Sequence, residues 1–156
     1  KEIGAKYYPE VQIDDYHIDA MTAHMVRRLK DFDVIITTNL FGDIISDLAG
    51  ELTGSLGLGP AINTNDHQCM AQAAHGSAPD IAGRNIANPV GIMLSAVMMF
   101  EWLADRYEDE KLQKVADLMQ NGVLKTMEEG YVTPDLGGEA STSSFAEAIA
   151  EKIKNA

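Results

Sequence analysis

The run DVIITT (Asp33–Thr38) passes without a linker into NLFGDIISDLAG (Asn39–Gly50), and this junction constrains the fold more than any other stretch of the 156 residues. Its β-branched residues favour a pleated strand. The apolar residues that follow recur at helical spacing and predict a helix from about Phe41 to Leu52. A strand that turns directly into a helix is the repeating element of α/β folds. In open α/β sheets, ligands bind just past the carboxyl ends of strands. There the sequence sets Asp43 and Asp47 one helical turn apart, on one helix face, where a hard divalent cation can sit. An isolated D-x-x-x-D spacing is more often a pair of solvated acids, and it is the position after the strand that favours the metal reading.

Composition narrows the function classes. With 46% hydrophobic and 23% charged residues the chain is globular in composition and close to the size of one domain. No window approaches the roughly 18 apolar residues of a membrane span, and KEIGAKYYPE lacks the apolar core of a signal peptide, so a soluble, cytoplasmic protein is expected. A single cysteine, Cys69, excludes an intrachain disulfide framework, and it is expected to be a small buried or half-buried residue rather than a nucleophile. The net charge of −12 repels phosphate backbones and anionic membranes, so neither nucleic acid nor membrane is expected as a partner. An acidic protein that handles anionic substrates needs local cations, either a metal ion or arginines gathered in the site.

Along the chain there is no fixed repeat and no low-complexity tract. A short strand near Val11–Tyr16 leads into an amphipathic helix from about Ile18 to Leu29, then the strand Asp33–Thr38 and the helix beyond it. TGSLGLGP (Thr53–Pro60) is expected to turn into a new layer, followed by the polar loop NTNDHQ, a short apolar run CMAQAA, and the loop His75–Pro89. Gly91–Tyr107 is apolar on several sides and predicts a buried helix whose methionines fill the core. A helix over Glu110–Glu129 ends at Gly130 as its cap, and a last helix over Ser144–Lys154 has Thr142 or Ser143 as N-cap candidates. Only about three strands can be defended, too few for a sheet that helices cover on both faces. The chain also starts at Lys1 without an initiator methionine, and it reads as the C-terminal segment of a larger enzyme.

NLFGDIISDLAGELTGSLGL (39–58), HGSAPDIAGRNIANP (75–89) and PDLGGEAST (134–142) resemble, in order and spacing, three signature segments of the β-decarboxylating dehydrogenases, the isocitrate and 3-isopropylmalate dehydrogenase family. The likeness covers essentially the whole chain. It implies the C-terminal portion of a three-layer α/β fold, with residues 1–53 ending a small dimerisation domain and 54–156 belonging to a large dinucleotide-binding domain.

The resemblance also implies a chemistry. Family members oxidise the hydroxyl of a 2-hydroxy acid with a nicotinamide dinucleotide and release the β-carboxylate as carbon dioxide, with Mg²⁺ or Mn²⁺ as a Lewis acid. The family's metal aspartates match Asp43, Asp47 and Asp19 in YHIDAM, of which Asp19 and Asp43 are also assigned to catalysis. The one matching Asp19 serves the neighbouring subunit, which implies a homodimer with a shared site. On residue preference alone Asp19 reads instead as a helix N-cap.

The loop His75–Asn88 is implied to bind the cofactor through His75, Gly76, Ser77, Ala78, Pro79, Asp80, Ile81 and Asn88. It is no Rossmann G-x-G-x-x-G loop. Its small residues let the backbone approach a ligand, and Asn88 offers a donor and an acceptor to an adenine edge. Relatives that use NADP carry a lysine and a tyrosine where this chain has Asp80 and Ile81. A carboxylate there accepts from both ribose hydroxyls and repels a 2′-phosphate, so NAD is expected.

The family's substrate-gripping arginines and its catalytic tyrosine and lysine precede this segment. Asn63 in GLGPAIN and the TSSF stretch look closer to isocitrate enzymes, which makes isocitrate the expected substrate and 3-isopropylmalate the alternative. A non-catalytic NAD-binding subunit or inactive fragment is the competing reading. The intact aspartates argue against a degenerate subunit but not against a fragment.

Overall fold

Packing of apolar helix faces organises the second of two units into which the chain divides, Lys1–Leu48 and a second beginning at Ala49. The computed structural model describes residues 1–155; Ala156, the last residue of the expected second domain, lies outside them. No helix among the described residues is long and apolar enough to cross a membrane.

In the first unit, α1 (Glu2–Tyr7), which sequence reasoning missed, precedes α2 (Ile18–Arg28) and α3 (Asn39–Leu52), whose last residues belong to the second unit. Met21 and Met25 of α2 and Ile45 of α3 are buried. Beside them the Tyr16 ring meets His24 and Phe32 edge-on, with centroids 5.1 and 5.9 Å apart, and Arg28 lies over Tyr16 and Phe32. A 3₁₀ turn, Leu29–Asp31, ends α2.

Both strands expected in this unit are absent. Val11–Tyr16 is irregular, and Asp33–Thr38 pairs with nothing among the described residues. Strand propensity expresses fit to a half-buried pleated surface, so it cannot form a strand without a neighbouring ladder. Ile36 at 94% and Val34 at 80% exposure show the cost, since β-branched side chains suited to a sheet interior face solvent.

The second unit is built on a hairpin. Strands β1 (Pro60–Thr64) and β2 (Cys69–Ala73) pair antiparallel, with Pro60 opposite Ala73 and Thr64 opposite Cys69. The segment expected as turn and polar loop thus contains a strand, and only its centre turns. There the Asn65 side-chain oxygen accepts from the His67 and Gln68 amides, an Asx turn. Cys69 is half-buried, as expected.

Helix α4 (Val90–Tyr107) packs on both strands, α5 (Glu110–Glu128) packs on α4, and α6 (Thr142–Lys154) packs on α5. Ser95, fully buried, knits α4 to the hairpin: its hydroxyl accepts from the Ala61 amide at 3.1 Å and lies 2.6 Å from the Gln72 carbonyl. Gly91 has no room for a side chain, because a Cβ there would meet the Gly57 carbonyl oxygen at 2.9 Å. Gly130, at φ 77°, follows α5 as anticipated.

The N-cap of α6 is Ser141, not Thr142 or Ser143. Ser141 and Ser144 close a capping box, each hydroxyl accepting from the other's backbone amide. The core joins Val90, Val123, Ala140, Phe145 and Ile149, with Met93, Leu94 and Met127 packed against it. Phe145 is 1% exposed. Phe145→Ala is expected to lower unfolding free energy by about 3–5 kcal/mol, the range for truncating a buried aromatic, measured by urea denaturation.

Candidate functional site

The loop between β2 and α4 holds every expected cofactor-binding residue. From His75 to Asp80 it is exposed, and a 3₁₀ turn, Pro79–Ile81, forms its middle. His75 Nδ1 lies 2.9 Å from the Gly76 carbonyl oxygen. Ala78 sits at φ 40°, a conformation that side chains other than glycine's rarely adopt and that concentrates at ligand sites. Gly76 has negative φ and nothing within 4 Å of where a Cβ would stand, so neither packing nor backbone requires glycine there. Close approach of a ligand does supply a reason. No hydrogen bond or ion pair among the described residues engages the Ser77 hydroxyl or the Asp80 carboxylate, which leaves both available.

The far end of the loop is clamped. Asn85, at φ 55°, exchanges side-chain hydrogen bonds with Ser143: its Nδ2 donates to Ser143 Oγ at 2.8 Å and its Oδ1 accepts from the Ser143 amide. The Thr142 amide donates to the Asn85 carbonyl, and its hydroxyl to the Ala87 carbonyl at 2.5 Å. Thr142 and Ser143 thus spend their polar groups on the loop, which explains why neither caps α6.

Asn88 departs from expectation. It is 7% exposed; its Nδ2 donates to Asp135 Oδ2 at 2.9 Å and its Oδ1 accepts from the Val90 amide at 3.0 Å. The side chain expected to meet an adenine edge is therefore used inside the protein. Asp135 also accepts from Ser55 Oγ at 2.5 Å and Thr133 Oγ1 at 2.6 Å. Partial burial works against the charged carboxyl, but the hydroxyls of Ser55 and Thr133 and the Asn88 amide outweigh it and hold Asp135 below its ordinary pKa. Sequence reasoning missed this cluster, whose members stand in three separate segments. The available signal was the concentration of Ser, Thr and Asp in TPDLGGEAST.

Asp19, Asp43 and Asp47 lie in the first unit and are all exposed. Asp19 stands inside the first turn of α2 rather than capping it, since His17 holds the cap position. Among the described residues its Oδ1 accepts only from the adjacent Ala20 amide. None of the three forms an ion pair among the described residues. Unpaired carboxylates are the hard oxygen donors that Mg²⁺ and Mn²⁺ favour, so the donor set fits such an ion. The structure does not converge them: no group of three His, Cys, Asp or Glu side chains able to hold a metal occurs among the described residues.

A glycine-bearing loop between an antiparallel hairpin and a long helix, with the PDLGG segment bonded to its far end, is the mixed α and β arrangement that the second unit presents. The chain belongs to the isocitrate/isopropylmalate dehydrogenase family, whose model matches residues 1–149. It is 45% identical over 155 residues to the isocitrate/homoisocitrate dehydrogenase of Thermus thermophilus, covering 99% of this chain and 44% of that protein. It is 41% identical to a protein of Rickettsia felis named isocitrate dehydrogenase [NADP], covering 96% of this chain and 31% of that one. The crystal structure of isocitrate dehydrogenase from Methylococcus capsulatus superposes with a TM-score of 0.89 at 41% identity, over 98% of this chain and 44% of that one. The chain thus spans less than half the length of these relatives and carries the corresponding portion of their fold.

The lowered pKa of Asp135 has a consequence for acid stability. Its contribution is complete above the ordinary carboxylate range, about pH 4, and is lost as pH falls through the lower folded value. Asp135→Asn is expected to flatten the acid limb of the thermal-unfolding midpoint against pH, by circular dichroism, while leaving its slope above about pH 5 unchanged.

Proposed function

We propose that this chain is the dinucleotide-binding and metal-binding portion of an enzyme that oxidatively decarboxylates a 2-hydroxy acid with NAD, isocitrate being the substrate and 3-isopropylmalate the alternative. The observation that carries the reading is the exposed loop segment His75–Asp80, with open space at Gly76 and an unengaged carboxylate at Asp80. When bound, NAD accepts the hydride, and a divalent cation supplies Lewis acidity to substrate oxygens.

The protein's own contribution is binding and orientation. Gly76, Ser77, Ala78 and Pro79 bring backbone to the dinucleotide, His75 and Ile81 flank its adenosine half, and Asp80 accepts from the ribose hydroxyls. With its side chain engaged, Asn88 contributes through its backbone. Asp43 and Asp47 hold the cation, and Asp19 serves the partner subunit's, so the unit of activity is a homodimer. Residues 1–53 then end the small domain and 54–156 belong to the large one. Isocitrate rests on Asn63 in β1 and on the TSSF stretch at the start of α6.

The enzyme containing this chain is expected to turn over isocitrate with Mg²⁺, with kcat/KM for NAD above that for NADP by at least about a hundredfold, or about 2.7 kcal/mol. Asp80→Lys should narrow that ratio, and a wild-type preference for NADP defeats the assignment. The 156-residue chain by itself is expected to give no turnover.

Asp43→Asn and Asp47→Asn should each lower kcat by more than about a hundredfold, consistent with several kcal/mol from a metal centre, while leaving the unfolding midpoint unchanged. Mixed refolding of Asp19→Asn with Asp43→Asn subunits should recover part of the activity through hybrid dimers. Recovery by neither mixture nor added Mg²⁺ argues for a site within one subunit.

A further inference from the structure

A carboxylate that collects donors from three separate segments, one of them leading straight into the loop assigned above to the dinucleotide, does more than close a turn. Asp135 takes the Ser55 hydroxyl, which also caps the 3₁₀ turn Leu56–Leu58 by accepting from the Gly57 amide at 3.1 Å. It takes the Thr133 hydroxyl beside it in its own loop. It takes the Asn88 amide, and this bond decides which way that amide faces. A carboxylate only accepts, so Nδ2 must point to Asp135 and Oδ1 to the Val90 amide at the head of α4. The opposite end of the same short segment is held by Asn85 and Ala87 bonding to Thr142 and Ser143. Residues 85–88 are therefore pinned from two sides, by PDLGG at the buried Asn88 and by the start of α6 at the exposed Asn85 and Ala87.

We propose that Asp135 is a positioning residue for the dinucleotide: through Asn88 and Ser55 it fixes the backbone of the segment 85–88 and the adjoining turn at Gly57 in the arrangement the bound cofactor meets. The inference rests on the cofactor reading of this loop. Pre-set backbone lowers the ordering cost of binding, so loss of Asp135 should appear in affinity for the dinucleotide rather than in substrate binding or chemistry. Gly57 fits the same picture, since a Cβ there would meet Asn88 Cβ at 2.9 Å and Asp135 Oδ2 at 3.4 Å.

The test uses the full-length enzyme containing this chain, with Asp135→Asn, Asn88→Ala and the double variant. KM and Kd for NAD, KM for the hydroxy acid, kcat and the unfolding midpoint are measured for each. Asp135→Asn is expected to raise KM for NAD about tenfold or more, as a hydrogen bond to a charged group is commonly worth a decade in affinity, with KM for the hydroxy acid within about twofold of wild type. Asn88→Ala should do the same, and the double variant should add little, because both remove one link. An unchanged KM for NAD in a folded Asp135→Asn enzyme overturns the proposal. So does a parallel rise in both KM values, or full additivity in the double variant. Should Asp135→Asn fail to fold, Ser55→Ala keeps the carboxylate and removes one donor; a rise in KM for NAD of about threefold supports the role, and no rise overturns it. A wild-type enzyme that neither binds nor uses a nicotinamide dinucleotide sinks the functional reading itself, an outcome distinct from a normal wild type with insensitive variants.

Discussion

The second unit depends on the burial of one helix. Helix α4 is apolar around most of its circumference because the hairpin β1–β2 covers one side and α5 another. A two-stranded hairpin alone is marginal in water, and α4 supplies the apolar surface that holds it. Two small residues make the contact close enough. Gly91 admits the carbonyls of the 57–59 turn, and Ser95 sends a hydroxyl to both strands without leaving a buried polar atom unpaired. The head of α4 is thereby fixed against the hairpin, and with it the end of the loop that leads into the helix.

Polar bonds then position what burial has brought near. The loop 75–89 is long, exposed over its first half and adopts left-handed backbone at Ala78, Gly83 and Asn85. Such a segment has little apolar area with which to order itself. Its order at the C-terminal end comes from side chains outside the loop: Ser143 and Thr142 at the start of α6, and Asp135 from the loop after α5. Each of these segments is held in turn by the core around Phe145 and Val123. The first half, from His75 to Asp80, has no comparable clamp among the described residues, which suits the part proposed to present its backbone to the dinucleotide.

What the sequence disclosed follows from how local each signal is. Helices α4 and α5 were legible within a residue or two because periodicity and the glycine after α5 are local properties. The hairpin was half legible: CMAQAA stood out, whereas PAINT was hidden in a glycine-rich approach whose register only its partner reveals. Asp33–Thr38 carried strong strand propensity and formed no strand, since propensity is realised only in a ladder. The candidate loop was legible through resemblance, not through its local pattern. The Asp135 cluster left only a compositional trace in TPDLGGEAST, because no spacing rule links positions 55, 88, 133 and 135 before the chain folds. Asn88 shows that a side chain's chemistry does not choose its partner: an amide suited to a base edge is equally suited to the carboxylate of Asp135, which it meets here.

Charge sets the remaining constraint. A chain with net charge −12 that is proposed to take an anionic dinucleotide and an anionic acid works against its own long-range field. Within the loop 75–89 the only basic side chains are His75 and Arg84, so backbone amides must carry much of the attraction. Within the first unit, the exposed aspartates make a negative surface that a divalent cation would neutralise, which would let the proposed metal help hold an anionic substrate as well as serve the chemistry. Asp80 fits the same logic. Placed at a ribose it adds hydrogen-bond acceptors for hydroxyls, while a 2′-phosphate would bring further negative charge into a field with little local cation to offset it. In the proposed reading, discrimination against the phosphorylated cofactor would rest first on Asp80, with the scarcity of basic side chains in the loop acting in the same direction.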